Sequence, residues 1–279
     1  MHFRDLIDNG NFSAKEEIDC IVGLLDKEGE FNYSIRRLLN TNFNRFSKMG
    51  PFISFDDLLK YVYEQTSNEG ELLILICEML LSLINEYMHT IAVHNSDVYI
   101  FSYSDETEED LKHLERHIYE VVDRIHHKII YTGDDYSFII IPKEKKSIRA
   151  AEIVACTDEN IAIKILEYKH FSTTVDDKEK ILFSIAKYME DKKSELTESL
   201  KEDDLYINSN KKIKIIDQMF EMFNSLHIRH QSDNQYIEKS EREKWYDYTY
   251  NTVLTVIIIS EQAKINKEFK KLKDSNRKR

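Results

Sequence analysis

The sequence predicts a mainly α-helical protein with an N-terminal helical module, a small β-hairpin or sheet element, and a C-terminal helical bundle. Only 6 Gly and 2 Pro occur in 279 residues, and so few breakers favour long helices with short connections. Apolar residues recur every three or four positions over most of the chain, which is the period of a helix with one buried face. Hydrophobic residues make up 42% and charged residues 32%, so a folded, solvated protein is expected.

The first third of the chain carries several helix signals. Ser13 and Glu16 have the spacing of a capping box, in which the two side chains satisfy free N–H groups at a helix start. Ser54 and the acidic residues after it predict a second helix start, and a short helix is predicted over Tyr33–Leu39. The stretch Glu71–Met88 is apolar nearly all round, which predicts a buried central helix.

The middle of the chain changes character. Asp97–Tyr103 is dominated by β-branched and aromatic residues and predicts a strand, and Thr107–Lys128 predicts a long charged helix with one apolar face. Ile129–Tyr131 and Tyr136–Ile141 flank Gly133–Asp135, the arrangement of a β-hairpin.

The remainder of the chain returns to helical periodicity. Five helices are predicted, over Ile148–Cys156, Asn160–Tyr168, Val175–Ser199, Lys211–His227 and Glu241–Phe269. The sequence therefore divides into a helical module at 1–95, an α/β connector at 96–147 and a helical bundle at 148–279.

Charge and cysteine content narrow the function classes. A net charge of -12 argues against wholesale binding to nucleic acid but permits a local basic site. The three cysteines are far apart and odd in number, which favours a reducing cytoplasm over a disulfide framework. Residues 1–20 have no apolar core of a signal peptide, and the apolar run Leu72–Ile84 is too short to span a bilayer. We expect a cytoplasmic protein that does not enter membranes.

Candidate cofactor sites are few. The chain has no glycine-rich phosphate loop and no paired cysteines, so neither a cofactor nor a metal is predicted. His113 and His117 lie four apart on one predicted helix, but Leu114 stands where the metalloprotease pattern needs a Glu. The basic residues after Lys264 fit a helix end whose cations oppose the C-terminal dipole, or an RNA-binding tail.

The best candidate for chemistry is a short polar break over Ile228–Asn234, between the last two predicted helices. Arg229 and His230 stand side by side in it. Arg binds two phosphate oxygens with its planar fork and stays charged, whereas His transfers protons near neutral pH. The alternative is that both residues are structural: Arg229 pairs with a helix end, and His230 has no catalytic role.

Three stretches of the second half resemble HEPN domains (higher eukaryotes and prokaryotes nucleotide-binding), in particular those of bacterial abortive-infection proteins. These are Ile165–His170, Lys178–Met189 and Phe223–His230, and the resemblance covers roughly 150–270. It implies a dimeric helical bundle that cleaves RNA without a metal. The family motif is an Arg, usually followed directly by a polar residue, and then a His, with four to six residues between the Arg and the His. Arg229 and His230 match its first two positions.

The motif departs from the family at its end. The closing His would fall at 234–236, where the chain has Asn234, Gln235 and Tyr236. The leading hypothesis is a phage-defence RNase or RNA-binding protein. In it, Asn234 or His227 replaces the missing His as the polar partner of Arg229 and His230. The alternative is a catalytically inactive helical protein that acts through dimerisation or partner binding. The predicted partners are RNA, a second copy of the chain and a phage or host trigger protein.

Four aromatic residues open the last predicted helix: Trp245, Tyr246, Tyr248 and Tyr250. Trp245 and Tyr246 are candidate substrate-binding residues, because aromatic side chains stack on nucleobases. The alternative is that the aromatic residues pack this helix onto the bundle or onto a second subunit.

Overall fold

The computed structural model describes residues 12–28, 34–46, 50–91, 105–132, 137–201, 214–226, 228, 238 and 241–277. Over these residues the chain is mainly helical, with a small two-stranded antiparallel sheet. Contacts divide the chain into two compact units, Met1–Lys143 and Glu144–Arg279. The predicted strand at Asp97–Tyr103 lies outside the described residues.

The first unit contains five α-helices and the sheet among its described residues: α1 (Ala14–Asp26), α2 (Ile35–Asn42), α3 (Phe55–Gln65), α4 (Glu69–Glu86), α5 (Asp105–Arg124), β1 (His127–Tyr131) and β2 (Phe138–Pro142). Both predicted helix starts are confirmed. The Ser13 side chain accepts from the Glu16 N–H at 3.2 Å, and the Ser54 side chain accepts from the Asp57 N–H at 3.1 Å. Each hydroxyl satisfies an N–H group that has no partner within its helix.

Helix α4 is the core of this unit. It packs against α1, α3, α5 and β2, and Leu73, Ile76 and Leu80 are fully buried along it. The prediction of a buried central helix is confirmed. The helix continues through a π-helical turn, Tyr87–Ile91.

The segment Glu69–His89 is also, by length and composition, the one stretch of described residues that could cross a membrane. It is longer than the apolar run Leu72–Ile84 on which the sequence prediction rested. However, 61% of the most apolar part of this segment is buried inside the protein, as in the core helix of a soluble domain.

The predicted hairpin is confirmed, but the predicted end of the preceding helix is wrong. β1 pairs antiparallel with β2, from His127 opposite Pro142 to Tyr131 opposite Phe138. Helix α5 ends at Arg124 instead of Lys128, because His126 takes a left-handed conformation with φ of 58° that reverses the chain into β1. His127 is a buried strand residue with its Nδ1 2.8 Å from the Ile125 carbonyl oxygen.

The second unit contains six α-helices among its described residues: α6 (Lys145–Ala155), α7 (Glu159–Glu167), α8 (Val175–Asp191), α9 (Lys193–Lys201), α10 (Lys214–Ser225) and α11 (Arg242–Arg277). α11 packs against α6, α8, α9 and α10, and α7 packs on α6 and α8. The helix predicted over Val175–Ser199 is in fact two, because it is interrupted by a turn at Lys192, where φ is -89° and ψ is -3°.

We predict that Leu80→Ala lowers the free energy of unfolding of the first unit by about 2–5 kcal/mol, because it removes a fully buried side chain and leaves a cavity. Urea unfolding followed by far-UV circular dichroism measures this loss. Ile53→Ala is the matched control, since Ile53 is exposed and its truncation changes stability by less than about 0.5 kcal/mol. Equal effects of the two changes would contradict the assignment of α4 as the core.

Candidate functional site

The predicted catalytic residues lie in the connection between α10 and α11. Arg229, His230 and Asn234, together with His227, fall outside the described residues, so their predicted roles stay predictions. Ile228 is described and buried, and its N–H donates to the Phe223 carbonyl at 3.1 Å. Trp245 and Tyr246 follow this connection in the chain and lie in the first two turns of α11.

Lys178 of α8 holds the start of α11 in place. Its ammonium donates to Glu243 Oε1 at 2.7 Å and to Asp247 Oδ1 at 3.3 Å. These carboxylates are four residues apart, so both lie on the face of α11 that meets α8. The Lys178 side chain is only 11% exposed, and its nitrogen also lies 5.3 Å from the centre of the Tyr168 ring.

A second polar cluster joins the same two helices through the residues next to these. Arg242 Nη2 donates to Glu179 Oε2 at 2.5 Å, and the Tyr246 hydroxyl donates to the same oxygen at 2.9 Å. Arg242 is largely buried, and Glu179 supplies the negative charge that compensates it. Burial raises the pKa of Tyr246, which keeps this hydroxyl protonated as a donor.

Two stacked tyrosines, Tyr168 and Tyr250, add to these two clusters. We call the three sets of contacts together the anchor. Tyr168, which follows the last residue of α7, and Tyr250 of α11 lie parallel with ring centroids 3.9 Å apart. Tyr168 OH donates to Asp247 Oδ1 at 3.0 Å. Tyr250 OH donates to the Ile165 carbonyl at 2.6 Å and lies within hydrogen-bond distance of Ser147 Oγ, at 3.0 Å. Burial raises the pKa of both phenols well above the ordinary range, and the Asp247 carboxylate adds to this effect at Tyr168.

These groups position a helix rather than act on a substrate. The charged and phenolic groups pair with one another, with only the buried Nε of Arg242 left without a hydrogen-bond partner among them, and Tyr168, Tyr246 and Tyr250 are fully buried. No group of three metal-ligating side chains occurs in the described part of the chain. The anchor therefore fixes the first turns of α11, where the chain arrives from the Arg229–His230 segment.

An open groove lies beside this anchored start. It has a volume of about 420 Å³ and runs between α10 and α11, with Lys146 of α6 at its edge. Trp245 and Tyr248 line it with edge-to-face rings 5.8 Å apart, and they are 38% and 50% exposed. The Lys146 ammonium donates to the Asn251 carbonyl at 2.8 Å, and burial lowers its pKa. We call this groove, lined by Lys146, Trp245, Tyr248 and Asn251 among others, the Trp245 groove.

The structure separates the two aromatic residues predicted to bind substrate. Trp245 faces the groove and has ring surface available for stacking. Tyr246 is 1% exposed and bonded to Glu179, so in this conformation it offers no face to a base. The role of Tyr246 is corrected to helix packing, the alternative given above for the aromatic residues, because its position on α11 points it toward α8.

His117, weighed above as half of a metal-binding pair, has a different neighbour. Its Nε2 lies 3.4 Å from Glu17 Oε2, and Arg124 pairs with the same carboxylate. The Glu17 carboxylate of α1 thus interacts with two positions seven residues apart on α5.

Comparisons with protein-family models, with curated proteins and with solved structures each found no match. The resemblance to HEPN domains therefore rests on the residues given above.

Sequence reasoning missed Lys178, Glu179, Arg242, Glu243 and Asp247. A signal for them was present: Arg242 and Tyr246 repeat at the helical spacing of four on one face, as do Glu243 and Asp247, and Lys178 and Glu179 are adjacent on α8. Nothing in the sequence indicates which helices pair, so the partners emerge only when α8 and α11 are placed side by side.

We predict that the second unit loses stability above about pH 10, the ordinary pKa of tyrosine. The folded unit holds the Tyr168 and Tyr250 protons beyond the pH at which the unfolded chain releases them. Unfolding then releases protons, so this contribution is fully present below about pH 10 and falls as the pH rises. Urea unfolding followed through the fluorescence of Trp245, the sole Trp, measures the slope.

Tyr250→Phe should reduce that slope by about one proton, or about 1.4 kcal/mol per pH unit. At neutral pH it should cost about 1–3 kcal/mol, because the buried Ile165 carbonyl and Ser147 hydroxyl lose a partner. Tyr248→Phe alters a half-exposed phenol and serves as the control. An unchanged alkaline slope in Tyr250→Phe would refute this account of the anchor.

Proposed function

We propose that the second unit binds single-stranded RNA in the Trp245 groove and that the Arg229–His230 segment cleaves it without a metal. In this proposal the protein is a cytoplasmic phage-defence RNase of the abortive-infection, HEPN-like type. The observation that carries it is the exposed pair Trp245 and Tyr248, beside a lysine and on the helix that the Arg229–His230 segment enters.

The groove suits a nucleobase in size and in chemistry. Its volume of about 420 Å³ lies within the range of small-ligand sites, about 300–1,000 Å³. A base can stack on the exposed ring of Trp245 or Tyr248, and this interaction accepts every base because each has a π face. Lys146, which lines the groove, supplies local positive charge in a chain whose net charge is -12.

The proposed chemistry uses the ribose 2′-hydroxyl as the nucleophile. His230 takes the hydroxyl proton, the 2′-oxygen bonds to phosphorus, and the bond from phosphorus to the 5′-oxygen breaks. Arg229 binds the two non-bridging oxygens as their charge increases. A proton from His227, or from His230 of a second copy, neutralises the leaving oxygen. The products are a 2′,3′-cyclic phosphate and a 5′-hydroxyl.

The second candidate function is partner binding without catalysis. One observation favours it: three large apolar side chains are exposed near the end of α11. In this alternative the protein acts through dimerisation or through a bound partner, and RNA is not a substrate.

RNA binding should quench or shift the fluorescence of Trp245 in a titration with a single-stranded oligoribonucleotide. Tyr248→Ala should weaken binding by about 5- to 150-fold, because stacking contributes about 1–3 kcal/mol per base. Tyr119→Ala is the matched control, since Tyr119 is similarly exposed but belongs to the first unit. A wild-type titration without a spectral change would remove the groove from the proposal.

Cleavage is tested separately, with transfer RNA and total RNA in the presence of a chelator. The wild type should produce fragments that end in 2′,3′-cyclic phosphate, and Arg229→Ala and His230→Ala should lose at least about 100-fold in rate. Both variants change residues outside the anchor, so the midpoint of urea unfolding, followed through Trp245 fluorescence, should stay the same. Intact RNA with the wild type, together with normal binding, would leave an RNA-binding protein and reject the nuclease.

A further inference from the structure

The last third of α11 extends beyond the core of its unit. α11 has 36 residues, and Ala263 is its last buried side chain. From Lys264 to Ser275 every side chain is exposed except the half-buried Asn266. At 1.5 Å per residue, the stretch 264–277 adds about 20 Å of helix with little packing from its own unit. We call this stretch the α11 extension.

The α11 extension carries an apolar stripe. Ile265, Phe269 and Leu272 are 45%, 65% and 58% exposed, and their spacing of four and three places them on one face. Ile258 and Gln262 continue the same face toward the core. This is the a/d spacing of a helix that pairs with another helix along a narrow seam, with Ile258, Ile265 and Leu272 at d and Gln262, Phe269 and Asn276 at a.

The charged residues beside the stripe indicate the partner. In this register Glu261 and Glu268 occupy g positions, and Lys273 occupies an e position. In a parallel pair, a g residue faces the e residue five positions later on the other helix. Glu268 therefore faces Lys273 of a second copy, and the reciprocal pair forms by symmetry. An antiparallel pair places Glu268 opposite another g residue, which brings like charges together.

The two charged residues are available for this pairing. Among the described residues, no ion pair involves Glu268 or Lys273, whereas Lys264 is engaged with Glu195 of α9. The other lysines, Lys267, Lys270 and Lys271, fall at positions away from the seam, where they keep an isolated apolar stripe soluble.

We propose that the α11 extension pairs in parallel with the same segment of a second copy of this chain. Phe269, Ile265 and Leu272 form the contact, and Glu268 with Lys273 selects the parallel orientation. The proposal rests on the exposed stripe and its flanking charges, and is independent of RNA binding or cleavage.

Sedimentation equilibrium of the full chain tests the contact. The wild type should sediment as a dimer, and Phe269→Gln with Leu272→Gln should shift it to monomer. Lys270→Gln with Lys271→Gln is the control, because it introduces the same residues away from the seam and should leave the dimer intact. All these side chains are exposed, so circular dichroism should report equal helix content. A monomeric wild type, or a dimer that persists in Phe269→Gln with Leu272→Gln, overturns the proposal.

Charge exchange tests the orientation. Glu268→Lys and Lys273→Glu should each raise the dimer dissociation constant by about tenfold, since each puts like charges opposite each other. The double exchange should restore it. A double variant as weak as the single ones excludes the parallel register.

A disulfide provides an independent check of register. In a background of Cys20→Ser and Cys156→Ser, Leu272→Cys should give a covalent dimer on mild oxidation, because equal d positions meet in a parallel pair. Lys271→Cys should not. Binding of a monomeric wild type to anionic lipid vesicles, lost in Phe269→Gln with Leu272→Gln, would assign the stripe to a membrane surface and reject the dimer.

Discussion

Helix α11 is the element on which the second unit depends, and the ion pairs of Lys178 with Glu243 and Asp247 set where that helix begins. Four other helices pack on α11, so its position determines theirs. An ammonium that is 11% exposed must be compensated, because an unpaired charge in such a place is costly. Only one placement of α11 against α8 brings both carboxylates to Lys178, which makes the cluster a specific constraint on register.

The tyrosines extend this constraint across three helices. Tyr250 of α11 stacks on Tyr168 at the end of α7 and lies within hydrogen-bond distance of Ser147 of α6, while Tyr168 donates to Asp247. Aromatic stacking supplies buried area, and the hydroxyl bonds supply direction. The start of α11 is therefore rigid. Trp245 and Tyr248 line the groove, whereas Tyr246 and Tyr250 occupy the buried side of the same turns.

Several features were predictable because they depend on neighbours in the chain. The caps at Ser13 and Ser54, the buried helix α4 and the hairpin after α5 all follow from local spacing, and the structure confirms them. Other local features were not predictable. Apolar positions continue at helical spacing from Met189 to Leu196 and Leu200, so the break at Lys192 has no signal in the pattern. Residues other than glycine are uncommon in the left-handed conformation, so His126 gave no clear signal for the turn that ends α5.

By itself, the sequence determined the helical class, the extent of the apolar faces and the presence of an Arg-His pair between the last two helices, because each depends on residue type and short spacing. Only the tertiary structure decided which polar residues meet. Lys178 and Asp247 are separated by 69 positions, and their contact exists because α8 and α11 pack together. The same packing decided that Tyr246 is buried and Trp245 is exposed. α11 is contacted by four other helices, so its sequence carries no single apolar face from which the exposed side could be identified.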